Sequence, residues 1–196
     1  MKKYNFALIF CLLMSFTLMF RICNAQEWSR KGKGEIYALG QYINGDKTSG
    51  LGITTELDNA FAGGFGGGYS FNDYINLNTD LLFSSMDITA EGYGEKIVSD
   101  TSVFIWDVNL DINILKKRFS PLITGGIGLI NFSGDWGSGF DFNETDFSYN
   151  VGGGFRWNIT DHFLVKAIYK ATWTKLEDTD NSLLLDGIAV SIGYTF

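Results

Sequence analysis

The chain has 196 residues, 45% of them hydrophobic, with 15 basic against 22 acidic side chains and a formal net charge of −7. Such an acidic balance argues against nucleic acid as a partner, and the length fits a single domain. Both cysteines, Cys11 and Cys23, fall near the N-terminus.

The chain opens "MKKYNFALIFCLLMSFTLMFRICNAQEW". Lys2 and Lys3 form a basic n-region, Phe6 to Phe20 an apolar h-region, and Cys23 and Ala25 supply small residues before a cut at Gln26. A lipoprotein reading through Cys23 fits poorly, because Arg21 and Ile22 stand where small residues are wanted. The expectation is therefore a signal peptide over 1–25 and one domain over 26–196. Residues 26–196 carry 12 basic and 22 acidic residues and no cysteine. Disulfides, cysteine-based zinc sites and cysteine nucleophiles are thereby excluded from that domain. No second apolar run is long enough for a spanning helix, so an exported chain of this kind is either secreted or embedded as a barrel.

Period-two alternation then recurs along the chain. The first strand, "EIYALGQYI", leaves its inward face open. In "FAGGFGGGYSF", Phe61, Phe65, Tyr69 and Phe71 oppose Ala62, Gly64, Gly66, Gly68 and Ser70. "INLNTDLLFSS" sets Ile75, Leu77, Leu81 and Phe83 against Asn76, Asn78 and Asp80. "VFIWDVNLDINI" sets Phe104, Trp106, Val108, Leu110, Ile112 and Ile114 against Ile105, Asp107, Asn109, Asp111 and Asn113. "LITGGIGLINF", "FSYNVGGGFRWN" and "VKAIYKATWT" continue the pattern, and "GIAVSIGYTF" ends the chain with Ile188, Val190, Ile192, Tyr194 and Phe196 on one face.

These eight strands are joined by short turns at "NDY", "LKKRFSP" and "NITDH" and by long polar loops at about 44–57, 87–102, 133–146 and 175–183. The expected fold is all-β, an eight-stranded antiparallel up-and-down transmembrane β-barrel. A soluble barrel with its apolar face inward would leave Gly64, Gly66, Gly68, Gly152 and Gly154 on its surface without a packing reason. Turned inward, they make room in a narrow lumen, while aromatics near the short turns form a girdle.

The leader, the glycine-and-aromatic hairpins and the terminal "GYTF" resemble the small eight-stranded outer-membrane barrels of Gram-negative bacteria, the OmpA/OmpX-like family. That resemblance implies an outer-membrane location and lipid and lipopolysaccharide as surroundings. It also implies recognition by the barrel-assembly machinery through Ile192, Tyr194 and Phe196.

The site residues expected from the alternation are inward charges. Asp80, Asp107 and Asp111 face Arg156, Lys166 and Lys170 across the lumen, where an unpaired charge is costly. They read as a polar plug, with an ion-admitting gate as the alternative. His162, the chain's one histidine, falls in a periplasmic turn, at the wrong end for the catalytic histidines of enzymatic barrels. No catalytic, cofactor or metal site is expected, and "DTDN" lacks the Gly and Glu of a calcium loop. The function read from this is structural or surface-interaction, with a small diffusion pore or a loop-mediated adhesin as alternatives and the loop partner left open.

Overall fold

A computed structural model describes residues 28–45, 47–50, 53–92, 95–135, 141–175 and 182–196. The leader expected over 1–25 lies outside the described residues, as does most of the loop at 175–183. The described residues form ten strands: β1 (Gly34–Asn44), β2 (Lys47–Gly50), β3 (Ile53–Leu57), β4 (Ala60–Ser70), β5 (Ile75–Gly92), β6 (Glu95–Asn113), β7 (Phe119–Asp135), β8 (Asp141–Asn158), β9 (Phe163–Lys175) and β10 (Ser182–Thr195).

Eight of them close a barrel in the order β1-β4-β5-β6-β7-β8-β9-β10, all antiparallel, with β10 returning to β1. Closure pairs Glu35 with Thr195 and Asn44 with Asp186. The last residue takes part: Phe196 N–H donates to Gly34 O and Gly34 N–H to Phe196 O, each at 2.9 Å. Among the described residues no barrel strand keeps a free edge inside the membrane, where an unpaired amide is costly.

The outer face is apolar on every barrel strand. Phe61, Phe65, Val108, Ile127, Val151, Tyr169, Ile188 and Ile192 are all exposed. Along β6 and the residue after it the apolar run extends from Phe104 to Ile114, which at a barrel tilt covers about the 25 Å apolar band of such proteins. Trp106, within that band, satisfies its indole N–H on Thr79 Oγ1 at 2.9 Å. Aromatic pairs mark both edges. Phe83–Phe104 and Tyr149–Trp173 lie at one end, Tyr69–Phe71 and Phe119–Phe155 beside the short turns at the other.

The long polar loops give way to strand. β5 and β6 pair continuously from Ile75↔Ile112 to Gly92↔Glu95, and β7 and β8 as far as Asp135↔Asp141. The segment at 44–57 contains the β2–β3 hairpin, whose second strand adds to β5 from Leu57↔Ile88 to Ile53↔Gly92. The physical reason is that alternation continues while the outer face changes solvent. Above the membrane Asp87 and Asp100 can point into water, while Met86, Ile88 and Val103 stay buried. Polarity on the outer face makes a protruding strand look like a loop.

Candidate functional site: a two-layered lumen and a strapped periplasmic mouth

The inward side chains form two layers. Toward the extracellular end Leu39, Ile43, Leu82, Ile105, Ile130 and Phe132 belong to one buried apolar cluster that also takes in Met86, Leu183 and Leu185, with Gln41, Thr101, Asp146 and Thr174 buried at the same level. Toward the short turns the inward positions are polar, with Asn76, Asn78, Asn109, Asp107, Asp111, Asn150, Arg156, Lys166 and Lys170 all buried. Neighbouring glycines give these side chains their space. A Cβ on Gly66 would run into Tyr37 and Asp80, and one on Gly128 into Asp107 Oδ1, both far inside van der Waals contact.

The structure places the six inward charges as follows. Lys170 Nζ donates to Asp107 Oδ2 at 2.6 Å, and Lys166 Nζ lies 3.8 Å from Asp111 Oδ2. Arg156 meets none of the three aspartates; its Nη2 sits 2.5 Å from Glu35 Oε2. Lys166 shares that glutamate at 3.2 Å and lies over the Tyr37 ring, 3.9 Å from its centroid. Asp80 takes hydrogen bonds from the Tyr37 hydroxyl at 2.7 Å and from Asn109 Nδ2 at 2.9 Å.

Glu35 is thus a central partner that sequence reasoning missed. It stands on the first strand, where Glu35, Tyr37, Leu39, Gln41 and Ile43 turn inward and Ile36 and Tyr42 outward. Large apolar residues on both faces of that strand concealed the choice. Within the polar layer lies a cavity of about 20 Å³, lined in part by Leu39, Asn109, Asp111, Lys166 and Lys170. It has room for about one water.

A second arrangement was not visible in the sequence. Residues 28–33 run beneath the barrel as a strap that touches every short turn. The Trp28 indole donates to Asp161 Oδ1 at 3.1 Å in the β8–β9 turn. Arg30, fully buried, donates through Nη1 to the carbonyls of Asp73 in the β4–β5 turn at 3.0 Å and Leu115 in the β6–β7 turn at 2.9 Å, and through Nη2 to the Lys117 carbonyl. Asp73 holds the strap from the other side, accepting from Ser29 Oγ at 2.7 Å and the Arg30 N–H at 2.9 Å. A tight bend at Gly32, with φ of +78°, lets the strap enter β1. An L side chain rarely adopts that backbone conformation.

Donors dominate the electrostatics of these turns. Partial burial raises the Asp73 carboxyl, but hydrogen bonds from Lys116, Ser29 and the N–H groups of Arg30 and Lys31 outweigh it and hold it well below the usual range. Asp161 is lowered by the adjacent Arg118 charge, 2.6 Å away, and by the Trp28 indole. Burial, followed by the charge of Arg156, lowers Arg30 to about 10. His162 lies in the β8–β9 turn, its ring stacked on Tyr194 at 5.1 Å and its Nδ1 3.0 Å from the Thr195 carbonyl.

A closed eight-stranded barrel with a lipid-facing apolar band now stands beside a sequence match: a family model for the outer membrane protein beta-barrel domain covers residues 10–196. The chain belongs to this family. Its place is the outer membrane of a Gram-negative bacterium, and the short turns mark the periplasmic end.

Solved structures share the fold at low identity. OprG from Pseudomonas aeruginosa superposes with a TM-score of 0.65 at 14% identity, over 87% of this chain and 98% of that one. Neisserial surface protein A gives 0.58 at 15% identity, over 84% and 98%. Ail, the attachment invasion locus protein of Yersinia pestis, in complex with the heparin analogue sucrose octasulfate, gives 0.51 at 19% identity, over 85% and 99%. No curated protein sequence matches the chain.

Proposed function

We propose that this outer-membrane barrel is a closed, non-catalytic structural element with a surface-interaction role, its lumen plugged by side chains. The observation that supports it is the packing of inward side chains. Buried ion pairs at 2.5–3.8 Å occupy the periplasmic half around a cavity of about 20 Å³, and a packed apolar cluster, with a few buried polar side chains, lies in the extracellular half. Hydrated ions need a continuous aqueous path, and an apolar cluster packed among the inward side chains opposes one. The six charges named from the sequence, with Glu35, are then a structural network and not a gate. Residues 1–25 act as the export signal, and Ile192, Tyr194 and Phe196 as the assembly signal.

Single-channel recording in planar bilayers tests the plug. The expected result is no resolved opening at moderate voltage. A stable ohmic conductance in most insertions would put the diffusion-pore reading first.

The surface role rests on the protruding hairpins. The segments 45–59, 85–102, 131–146 and 174–186 together contain 15 acidic and 3 basic residues. Ail has been solved with a polyanion; on this chain the extracellular charge repels such a ligand and suits a cationic partner or divalent cations bridging to lipopolysaccharide. His162, exposed in a periplasmic turn and occupied by Tyr194 and Thr195, serves as an interfacial residue.

A further inference from the structure

Charge is divided between the two ends of this barrel in an uneven way. Residues 26–196 hold 12 cations, and six of them, Arg30, Lys31, Lys33, Lys116, Lys117 and Arg118, gather at the periplasmic mouth. The strap brings this about: Arg30 is hydrogen-bonded to the carbonyls of Leu115 and Lys117, which lays 30–33 against the turn that carries 116–118. Asp73 and Asp161 supply the side-chain carboxylates of the described turns there, and the Glu35 carboxylate inside the lumen also acts on Arg30. The two aspartates are already taken up by donors, Asp73 by Ser29, Arg30 and Lys116, and Asp161 by Trp28 and Arg118. Folding therefore concentrates half of the cations of an acidic chain where their mutual repulsion opposes it. An anionic partner at this level relieves that repulsion.

The position identifies the partner's chemistry. Tyr69, Phe71, Tyr74, Phe163, Tyr194 and Phe196 are exposed around the same end, as an interfacial girdle at headgroup depth. Above it the lipid-facing wall holds an apolar groove of about 630 Å³ over Ile36, Ala38, Phe65, Phe163, Ile192 and Tyr194. Its floor opens at Ala38, whose outward side chain is a single methyl between Ile36 and the neighbouring strands, so an acyl chain can lie in it. We propose that the periplasmic collar and this groove form a binding surface for anionic phospholipid of the leaflet facing the periplasm. The cations hold the phosphate and anionic headgroup, and the groove holds a chain.

The full-length barrel, folded into vesicles of equal phosphatidylcholine and phosphatidylglycerol, is extracted in mild detergent and its retained lipids are weighed by native mass spectrometry. Each cation close to an anionic surface contributes roughly a fivefold preference at low salt. Phosphatidylglycerol should therefore be retained several-fold over phosphatidylcholine. The variant Lys31→Gln/Lys33→Gln/Lys117→Gln should bring the ratio toward one, whereas Lys47→Gln/Lys175→Gln, at the other end, should leave it unchanged. Heat-modifiable gel mobility reports whether each variant has closed. A salt titration of the unaltered protein reads the same preference without a substitution, since screening at 1 M salt should abolish it. A wild-type ratio near one, or a preference untouched by both the triple substitution and salt, overturns the proposal. So does binding of soluble anionic cell-wall fragments through the collar with a lipid ratio near one, which would assign the surface to that partner.

Discussion

Replacing Glu35 with Gln removes one charge and keeps the shape of the side chain. Glu35 is 2% exposed and faces Arg156 at 2.5 Å and Lys166 at 3.2 Å. At an effective dielectric of 20 the gross attractions are roughly 7 and 5 kcal/mol. Much of that offsets the desolvation of the three groups, so the net loss is smaller. Removing one partner of a buried pair costs about 3–5 kcal/mol, because the remaining charge is left buried and uncompensated. Arg156 would be in that position, while Lys166 would retain Asp111 at 3.8 Å. The expected loss for Glu35→Gln is therefore about 3–5 kcal/mol. Asp111→Asn should lose only about 1–2 kcal/mol, the scale of one weakened charged contact. Urea unfolding in lipid vesicles, followed by heat-modifiable mobility, measures both. Adding Arg156→Gln to Glu35→Gln should recover part of the loss, since the penalty is unpaired charge and a cycle isolates it. If Glu35→Gln unfolds at the wild-type urea midpoint, the lumen charges are hydrated one by one. The plug would then have to be abandoned.

Three further outcomes are expected. Gly66→Val should destabilise by about 1–3 kcal/mol through overpacking against Tyr37 and Asp80, whereas Gly63→Val, where a Cβ has nothing within 4 Å, should unfold close to wild type; equal effects would contradict the inward assignment. Deleting Phe196 removes both hydrogen bonds to Gly34 and should leave unfolded protein in the periplasm, to be read by surface levels and gel mobility. The Asp73 carboxyl is lowered on folding, so its contribution is complete above the unfolded pKa of about 3.9 and is lost as pH falls through the lower folded value. A nitroxide at Lys31→Cys should accordingly stay immobile through mild acid and become mobile only well below that range, while Asp73→Asn should free it at neutral pH.

The strand pattern and the lipid face were legible in the sequence because each follows from local periodicity. Trp106 against Asp107, or Tyr194 against Thr195, shows which way a side chain points as soon as one face must meet lipid. The terminal strand is read on the same ground. The tertiary structure decided what periodicity does not carry. Glu35 could be assigned only through the register of β1 with β10 and β4, because Leu39 and Ile43 on its own face are as apolar as Ile36 and Tyr42 on the other. The extent of β5 and β6 was hidden because a strand leaving the membrane exchanges its apolar outer face for a polar one. The strap lay further out of reach. Arg30 looks like any charged residue in a short polar stretch. Its burial depends on carbonyls at positions 73, 115 and 117, which come together only when the barrel closes.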